Sequence, residues 1–217
     1  QDEFALYSQQ KASNAQKAGV FKHEIVPVSV KQRKSTVVVD QDEFIRHDAH
    51  LDKLSKLKPV FDAAGTVTAG NASGLNDGAA FVVVMSEEKC KSLGLTKLVS
   101  LDGSSMIGND PKIMGVAPID AIKALCAKSR LNINDIDLFE VNEAFASQSI
   151  VVQQQLAILP DRLNVNGGAI ALGHPIGASG ARIVVTLVHQ MQRQAVSKGV
   201  ASLCIGGGQG VGLLLGR

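Results

Sequence analysis

The chain has 217 residues, of which 45% are hydrophobic and 19% are charged, and its formal net charge is +2. This composition is ordinary for a globular protein, and the length is sufficient to bury a core. The near-neutral charge gives no support for a nucleic-acid-binding function, and no apolar run approaches the ~20 residues that span a bilayer.

The predicted elements alternate between strands and helices. In chain order they are a helix over 1–20 that stops at Gly19, strands over 22–30 and 35–39, a polar helix or loop over 48–58, a loop over 68–78, a strand over 79–85 and a helix over 87–93. The second half continues with a strand over 97–102, a helix over 118–129, a buried strand over 136–141, helices over 144–156 and 177–193, and a strand pair over 200–205 and 211–215. This alternation predicts an α/β layered fold.

Two glycine-rich turns are the most unusual features. In residues 164–180, five glycines and one proline surround a single ionisable group, His174. Glycines cost backbone entropy, so such a run indicates special dihedral angles or close approach of a ligand. The second turn places Cys204, followed by Ile205, before three consecutive glycines. Neither run fits the spacing of a dinucleotide-binding or phosphate-binding loop. A histidine and a cysteine at glycine turns point instead to thiol-based acyl chemistry.

These turns belong to a set of motifs that resembles the thiolase family. The set comprises the stretches 68–74 and 76–80, the Asn-Glu-Ala-Phe run at 142–145, the stretch 164–183 and the turn 204–210. The resemblance implies a layered α-β-α-β-α sandwich, of which this chain would hold the C-terminal half and part of the loop domain. Residues 1–75 would end the loop domain, 76–96 would be a strand and helix returning to the N-terminal domain, and 97–217 would form the C-terminal domain.

The resemblance also implies the catalytic roles. Cys204 would be the acid/base of a Claisen condensation, and the Gly206 amide would donate to the oxyanion. His174 would activate a nucleophilic cysteine, and Asn142 would position a water at an oxyanion site. That nucleophile belongs to the N-terminal half of the family, which we expect to be missing from this chain. Neither Cys90 nor Cys126 has the glycine-flanked setting of a nucleophile, so we expect the chain alone to be inactive.

The substrate contacts follow from the same resemblance. Ser73 and Ala72 would lie beside the pantetheine arm of coenzyme A, and Arg46 would meet its nucleotide end, although Lys53 stands where relatives often have a small polar residue. Apolar residues would form the walls of the acyl pocket, namely Leu75, Phe61, Met114, Ala144 and Phe145. We expect no metal and no cofactor beyond the coenzyme A thioesters that serve as substrates.

The function that the resemblance implies is acetyl-CoA C-acetyltransferase activity, which condenses two acetyl-CoA to acetoacetyl-CoA through an acyl-cysteine. A degradative 3-ketoacyl-CoA thiolase and a non-catalytic module that binds acyl-CoA are the alternatives. Partners would be CoA, acyl-CoA and the N-terminal half, in a homodimer or homotetramer with no nucleic acid or membrane. Three widely spaced cysteines favour a reducing compartment, the cytoplasm or alternatively the mitochondrion.

Overall fold

Seven α-helices, six strands and three short 3-10 helices form the secondary structure of residues 1–217 in this computed structural model. The helices are α1 (Asp2–Lys17), α2 (Leu51–Leu54), α3 (Glu87–Ser92), α4 (Ala117–Ser129), α5 (Ala146–Gln155), α6 (Ala169–Leu172) and α7 (Ser179–Gln194). The strands are β1 (Val28–Lys31), β2 (Thr36–Val39), β3 (Ser100–Gly108), β4 (Leu138–Val141), β5 (Lys198–Ile205) and β6 (Gln209–Gly216). None of the helices is both long and apolar enough to cross a lipid bilayer.

The main sheet has four strands in the order β3-β6-β5-β4. β6 pairs antiparallel with both of its neighbours, whereas β4 pairs parallel with β5. Helix α4 covers one face and α7 covers the other. The α/β layered fold predicted from the sequence is therefore confirmed, with one sheet between two helical layers in this part of the chain.

The alternation of side chains along β4 divides the core between the two faces. Phe139 and Val141 join the cluster under α4 and α5, and Leu138 joins the cluster under α7. On α7, Ile183, Leu187 and Met191 repeat every four residues and are fully buried. Burial of each such side chain contributes roughly 1.5–3 kcal/mol to stability. These two clusters hold the carboxyl end of β4 in place.

Helix α1 packs one side, lined by small residues, against the glycine-rich stretch. Ala5, Ser8 and Ala12 are buried, and α1 contacts α6. The predicted stop is confirmed, because Gly19 follows the helix with φ 71°, in the left-handed region that glycine adopts without strain. The N-terminal helix thereby lies behind the residues that the sequence predicts to be functional.

Several predicted elements differ from the structure. No strand forms over 79–85, because no other strand of the chain pairs with this segment, although α3 follows it as predicted. The strand predicted over 22–30 is confined to β1, since Val20–His23 form a 3-10 helix. β3 runs further than predicted because its glycine and serines pair with β6 in register.

Candidate active site

The carboxyl end of β4 delivers Asn142 to the centre of the candidate site. The Asn142 amide donates to the carbonyl of Ser202 on β5 at 3.0 Å, which continues the parallel ladder. Its side-chain Nδ2 lies 3.3 Å from Nε2 of His174. Only 1% of Asn142 is exposed, and its Oδ1 is buried without a hydrogen-bond partner. A buried acceptor of this kind needs a donor from a water or a substrate.

The next residue, Glu143, holds the glycine-rich stretch against the sheet. Its carboxylate accepts hydrogen bonds from Ser8 Oγ at 2.7 Å, Asn164 Nδ2 at 2.9 Å and the amide of Ile170 at 3.2 Å. Gly168 passes so close to this carboxylate that any Cβ there would overlap it. Glu143 therefore acts through the loop, as a structural partner of the glycine-rich stretch.

His174 is positioned by backbone contacts on both sides of it. Gly173 has φ 94°, and the His174 amide donates to the carbonyl of Gly74 at 3.0 Å. A parallel bridge pairs His174 with Leu75. Burial, with a smaller effect of the Arg182 charge, lowers the pKa of His174 below its ordinary value. The imidazole is therefore neutral near pH 7 and able to accept a proton.

Cys204 lies near the end of β5, at the other side of the site. The residue is 8% exposed and packs with Ala117 and Ala144, and Met114 and Phe145 border the same cluster. Burial raises the pKa of the Cys204 thiol, and its own backbone hydrogen bond opposes that effect. In the unliganded chain the side chain is thus a thiol near neutral pH.

The turn after Cys204 leaves backbone amides without hydrogen-bond partners, that of Gly206 among them. Gly206 makes no backbone hydrogen bond, and nothing lies within 4 Å of a Cβ built on it. Gly207 and Gly208 have φ 89° and 82°, so the turn requires glycine at both positions. A Cβ at Gly210 would lie 2.6 Å from the carbonyl oxygen of Ala117. The Gly206 amide is consequently free to donate to an oxyanion.

The loop around Ser73 packs against the residues that follow β4. The Ser73 amide and hydroxyl both donate to the carbonyl of Ala144, at 3.0 and 3.1 Å. Ala72 is bridged to Phe145, whose ring makes an edge contact with Phe61 at a centroid distance of 6.0 Å. These contacts bring together Ser73, Ala72, Phe61, Ala144 and Phe145.

Arg46 lies at the margin of this group. Its amide donates to Gln9 Oε1 at 2.8 Å, and its guanidinium lies 6.0 Å from the centre of the Phe44 ring. The Phe44 ring in turn packs against Gly74. Lys53 is exposed and paired with Asp48 at 2.6 Å. Arg46 therefore lies near the loop that carries Ser73, with Phe44 between them, and hydrogen-bonds to none of the other predicted site residues.

The two remaining cysteines lie away from this group. Cys90 is on α3, where its thiol donates to the carbonyl of Leu95 at 3.3 Å. Cys126 belongs to the core cluster under α4. No group of three or more His, Cys, Asp or Glu side chains is arranged to hold a metal ion. Cys204 is thus the one thiol of the chain that borders the predicted substrate walls.

Sequence reasoning missed two side chains that hold the site. Ser8 bonds to Glu143 across 135 residues of chain, and no local pattern marks such a contact. Ser179 lies 2.5 Å from Nδ1 of His174. The second residue falls within the glycine-rich stretch, where its five-residue spacing from the histidine was the available signal.

Comparisons with known proteins agree with these motifs. Residues 95–217 match the family description "Thiolase, C-terminal domain", and residues 1–88 match "Thiolase, N-terminal domain". The chain is 57% identical to an acetyl-CoA acetyltransferase of Cupriavidus necator, in an alignment that covers 100% of this chain and 56% of that protein. The chain thus spans little more than half the length of this relative.

Solved structures show the same fold. The crystal structure of the Bacillus anthracis acetyl-CoA acetyltransferase superposes with a TM-score of 0.97 at 49% identity, over 99% of this chain and 55% of that one. The human mitochondrial 3-ketoacyl-CoA thiolase in complex with CoA superposes with a TM-score of 0.91 at 42% identity, over 100% of this chain and 54% of that one. The chain belongs to the thiolase family.

Proposed function

We propose that the protein acts as an acetyl-CoA C-acetyltransferase and that these residues supply its acid/base and oxyanion groups. The observation that carries the proposal is the convergence of four chain segments on one site. The 3.3 Å contact between His174 and Asn142 joins the glycine-rich stretch to β4, and Ser73 bonds to Ala144, which packs against Cys204. A base, a thiol and unpaired donors and acceptors at one site suit thioester chemistry.

The first half of the reaction is acyl transfer. His174 takes the proton of a nucleophilic cysteine thiol through Nε2, and the thiolate attacks the carbonyl carbon of acetyl-CoA. The C–S bond to CoA breaks, an acyl-cysteine forms, and the leaving CoA thiolate recovers the proton from His174. Lowering of the His174 pKa by burial favours this role, because the neutral imidazole is the form that accepts a proton.

The second half is the Claisen condensation. Once CoA has left, the neutral His174 takes the thiol proton of Cys204, and the Cys204 thiolate then removes a proton from the methyl carbon of a second acetyl-CoA. The resulting carbanion attacks the acyl-cysteine. The product is acetoacetyl-CoA, and the nucleophilic cysteine is released as a thiolate that recovers its proton from His174. The unpaired Gly206 amide is suited to hold the oxyanion of one step, and Asn142 with a bound water is suited to hold that of the other.

The nucleophile itself has to come from outside these 217 residues. Cys90 and Cys126 lie on α3 and α4, away from the group around His174, and Cys204 has the acid/base role. We therefore propose that the chain is active only with an N-terminal thiolase half, which also completes a homodimer or homotetramer. CoA thioesters are the substrates, with no other cofactor.

The pantetheine arm of the substrate fits the Ser73 loop. Ser73 and Ala72 lie over Ala144 and Phe145, and Phe61 and Leu75 expose apolar surface at the open side. Narrow apolar walls with few polar groups suit an aliphatic thioester chain. Met114 borders the Cys204 cluster and forms the inner wall, whereas Arg46 at the margin is placed for the nucleotide phosphates.

A degradative 3-ketoacyl-CoA thiolase is the second candidate. The similarity to the human mitochondrial 3-ketoacyl-CoA thiolase favours it, because all of this chain superposes on that structure with a TM-score of 0.91. The two candidates share the site residues and differ in the length of the acyl chain. Comparison of kcat/KM for acetoacetyl-CoA and for longer 3-ketoacyl-CoA thioesters in the thiolysis direction decides between them.

The proposal is tested with a fusion protein in which the N-terminal part of the Cupriavidus necator relative precedes this chain. Rapid-quench measurement of the acyl-enzyme burst separates acyl transfer from condensation. In Cys204→Ala we expect the burst to persist and condensation to fall by on the order of 10²–10⁴-fold, because the carbon base is needed only after acyl transfer. In His174→Ala we expect the burst itself to slow by a similar factor.

Cys90→Ala is the matched control, since it removes a thiol from α3, and both steps should proceed at the parent rate. Loss of the burst together with condensation in Cys204→Ala would contradict the acid/base role. A parent fusion that binds acetyl-CoA without forming an acyl-enzyme would support the non-catalytic module instead.

A further inference from the structure

Ser179 is buried completely at the start of α7, directly behind the imidazole of His174. Its hydroxyl oxygen lies 2.5 Å from His174 Nδ1 and donates to the carbonyl of Pro175 at 3.0 Å. The hydroxyl hydrogen is therefore directed at the carbonyl, and the oxygen offers its lone pairs to the ring. None of the roles derived above uses this contact.

The opposite ring nitrogen faces a donor. Nε2 of His174 lies 3.3 Å from Nδ2 of Asn142, and an amide nitrogen carries hydrogens but no acceptor. Nε2 must then present its lone pair. A neutral imidazole has a single N–H, so the proton lies on Nδ1 and points at Ser179. One continuous set of hydrogen bonds thus runs from Asn142 through His174 and Ser179 to Pro175.

The neutral state of the ring is consistent with its surroundings. Burial and the nearby Arg182 both lower the pKa of His174, so a single ring proton is present near pH 7. The position of that proton, on Nδ1 or on Nε2, decides whether the nitrogen on the site side can act as a base.

We propose that Ser179 is a positioning residue that holds His174 in the Nδ1–H tautomer and leaves Nε2 free to accept the proton of the nucleophilic thiol. This rests on the proposed function of His174 as the activating base. After proton transfer both nitrogens carry hydrogens, and Ser179 still accepts from Nδ1 while Nε2 donates to the thioester oxygen. Without the hydroxyl, Nδ1 has no partner, and the Nε2–H form becomes accessible if the Asn142 amide turns to offer its oxygen.

The direct test reads the tautomer by nuclear magnetic resonance. The chain is labelled with ¹⁵N-histidine, and the long-range ¹⁵N–¹H correlations of His174, identified by their loss in His174→Gln, distinguish a pyrrole-type from a pyridine-type nitrogen. In the parent chain we expect Nδ1 to be pyrrole-type and Nε2 pyridine-type. A pyrrole-type Nε2 in the parent chain overturns the proposal without any variant.

Substitutions then test the cause. Ser179→Ala should shift His174 toward the Nε2–H form, and Ser179→Thr, which keeps the hydroxyl, should restore the parent pattern. Ser149→Ala is the matched control, because Ser149 is also buried in the first turn of a helix and also donates to the carbonyl four residues back, Phe145, at 3.0 Å. It should leave His174 unchanged. An unshifted Nδ1–H tautomer in Ser179→Ala overturns the proposal.

Rates in the fused enzyme complete the test. Ser179→Ala should slow the acyl-enzyme burst by about tenfold or more at an unchanged KM, and Ser179→Thr should recover most of it. The tautomer is read without substrate, so the positioning role is judged even if the fusion shows no thiolase activity. A tautomer shift with a parent-rate burst would overturn the functional part of the proposal.

Discussion

At the scale of single residues, burial shifts the pKa values of His174 and Cys204 in opposite directions. Burial keeps His174 neutral and lowers its pKa, and burial also keeps Cys204 protonated and raises its pKa. Removal from water disfavours the charged form of each group, an imidazolium in one case and a thiolate in the other. Near pH 7 the candidate site therefore holds a neutral imidazole and a neutral thiol.

The raised pKa of Cys204 predicts slow alkylation at neutral pH. Iodoacetamide reacts with the thiolate, so labelling should accelerate with pH and reach half of its maximum only above the ordinary pKa of a thiol. Peptide mass spectrometry of the isolated chain over a pH series measures the extent at each cysteine. A labelling rate that is already at its plateau near pH 7 would show that Cys204 is an activated thiolate.

At the scale of elements, the glycine-rich stretch is held by one carboxylate. Glu143 accepts from Ser8 on α1, from Asn164 and from the start of α6, so three elements meet at a single buried side chain. Gly168 provides the space for that carboxylate. The position of His174 at the far end of the stretch depends on this clamp.

Gly168→Ala should therefore destabilise the chain by about 1–3 kcal/mol, because the new methyl group overlaps Glu143. Gly177→Ala is the control within the same stretch, since nothing lies within 4 Å of its Cβ position, and it should change stability by less than about 0.5 kcal/mol. Urea unfolding followed by circular dichroism measures both. Equal midpoints for the two variants would rule out the clamp.

The contact between β4 and α7 predicts a dependence of stability on pH. Burial raises the pKa of Glu140 to about 8, against the opposing effect of Arg182, whose Nη1 lies 3.7 Å from the carboxylate. The folded chain thus binds a proton that the unfolded chain, with an ordinary pKa near 4.5, has released. Stability should fall as pH rises from about 4.5 to about 8, and no further above that.

Glu140→Gln removes this titration. Near pH 5 the variant and the parent should have similar free energies of unfolding, since both side chains are neutral. By pH 8 the free energy of unfolding of the variant should exceed that of the parent by on the order of a few kcal/mol. Asp120→Asn on α4, an exposed carboxylate, serves as the control and should show no such trend. A constant difference between Glu140→Gln and the parent across this range would contradict the buried protonated state.

At the scale of the whole molecule, two apolar surfaces are uncovered. In the segment 81–85, Phe81 is 88% and Val83 is 85% exposed, and no strand pairs with it. The β1–β2 hairpin also exposes valines, but its two strands form hydrogen bonds with each other along their facing edges. A run of β-branched and aromatic residues with an unpaired backbone tends to add to another strand.

We therefore expect the isolated chain to self-associate through segment 81–85. Val83→Lys should shift size-exclusion chromatography with light scattering toward the monomer, because it places a charge in the middle of the segment. Val38→Lys makes the same change on the hairpin, where Val38 is also exposed, and should leave the distribution unchanged. A parent chain that is a stable monomer with cooperative unfolding would contradict the prediction and favour an independently folded binding module.

Much of the fold and part of the site followed from the sequence alone. The period of the apolar residues predicted α4, α7 and the buried strand β4, because core-facing positions repeat every two residues in a strand and about every 3.6 in a helix. Gly19 ended α1 as predicted, since few other residues adopt its dihedral angles. The glycine frames around His174 and Cys204 marked two side chains that lie in the candidate site.

Other features were decided by the tertiary structure. The segment 79–85 has the composition of a strand but forms none, because a strand requires a hydrogen-bonded neighbour and the chain supplies no partner. The contacts of Ser8 with Glu143 and of Asn142 with His174 join residues 135 and 32 positions apart. Local sequence sets backbone preference and burial pattern, whereas the pairing of buried donors with acceptors depends on which segments the fold brings together.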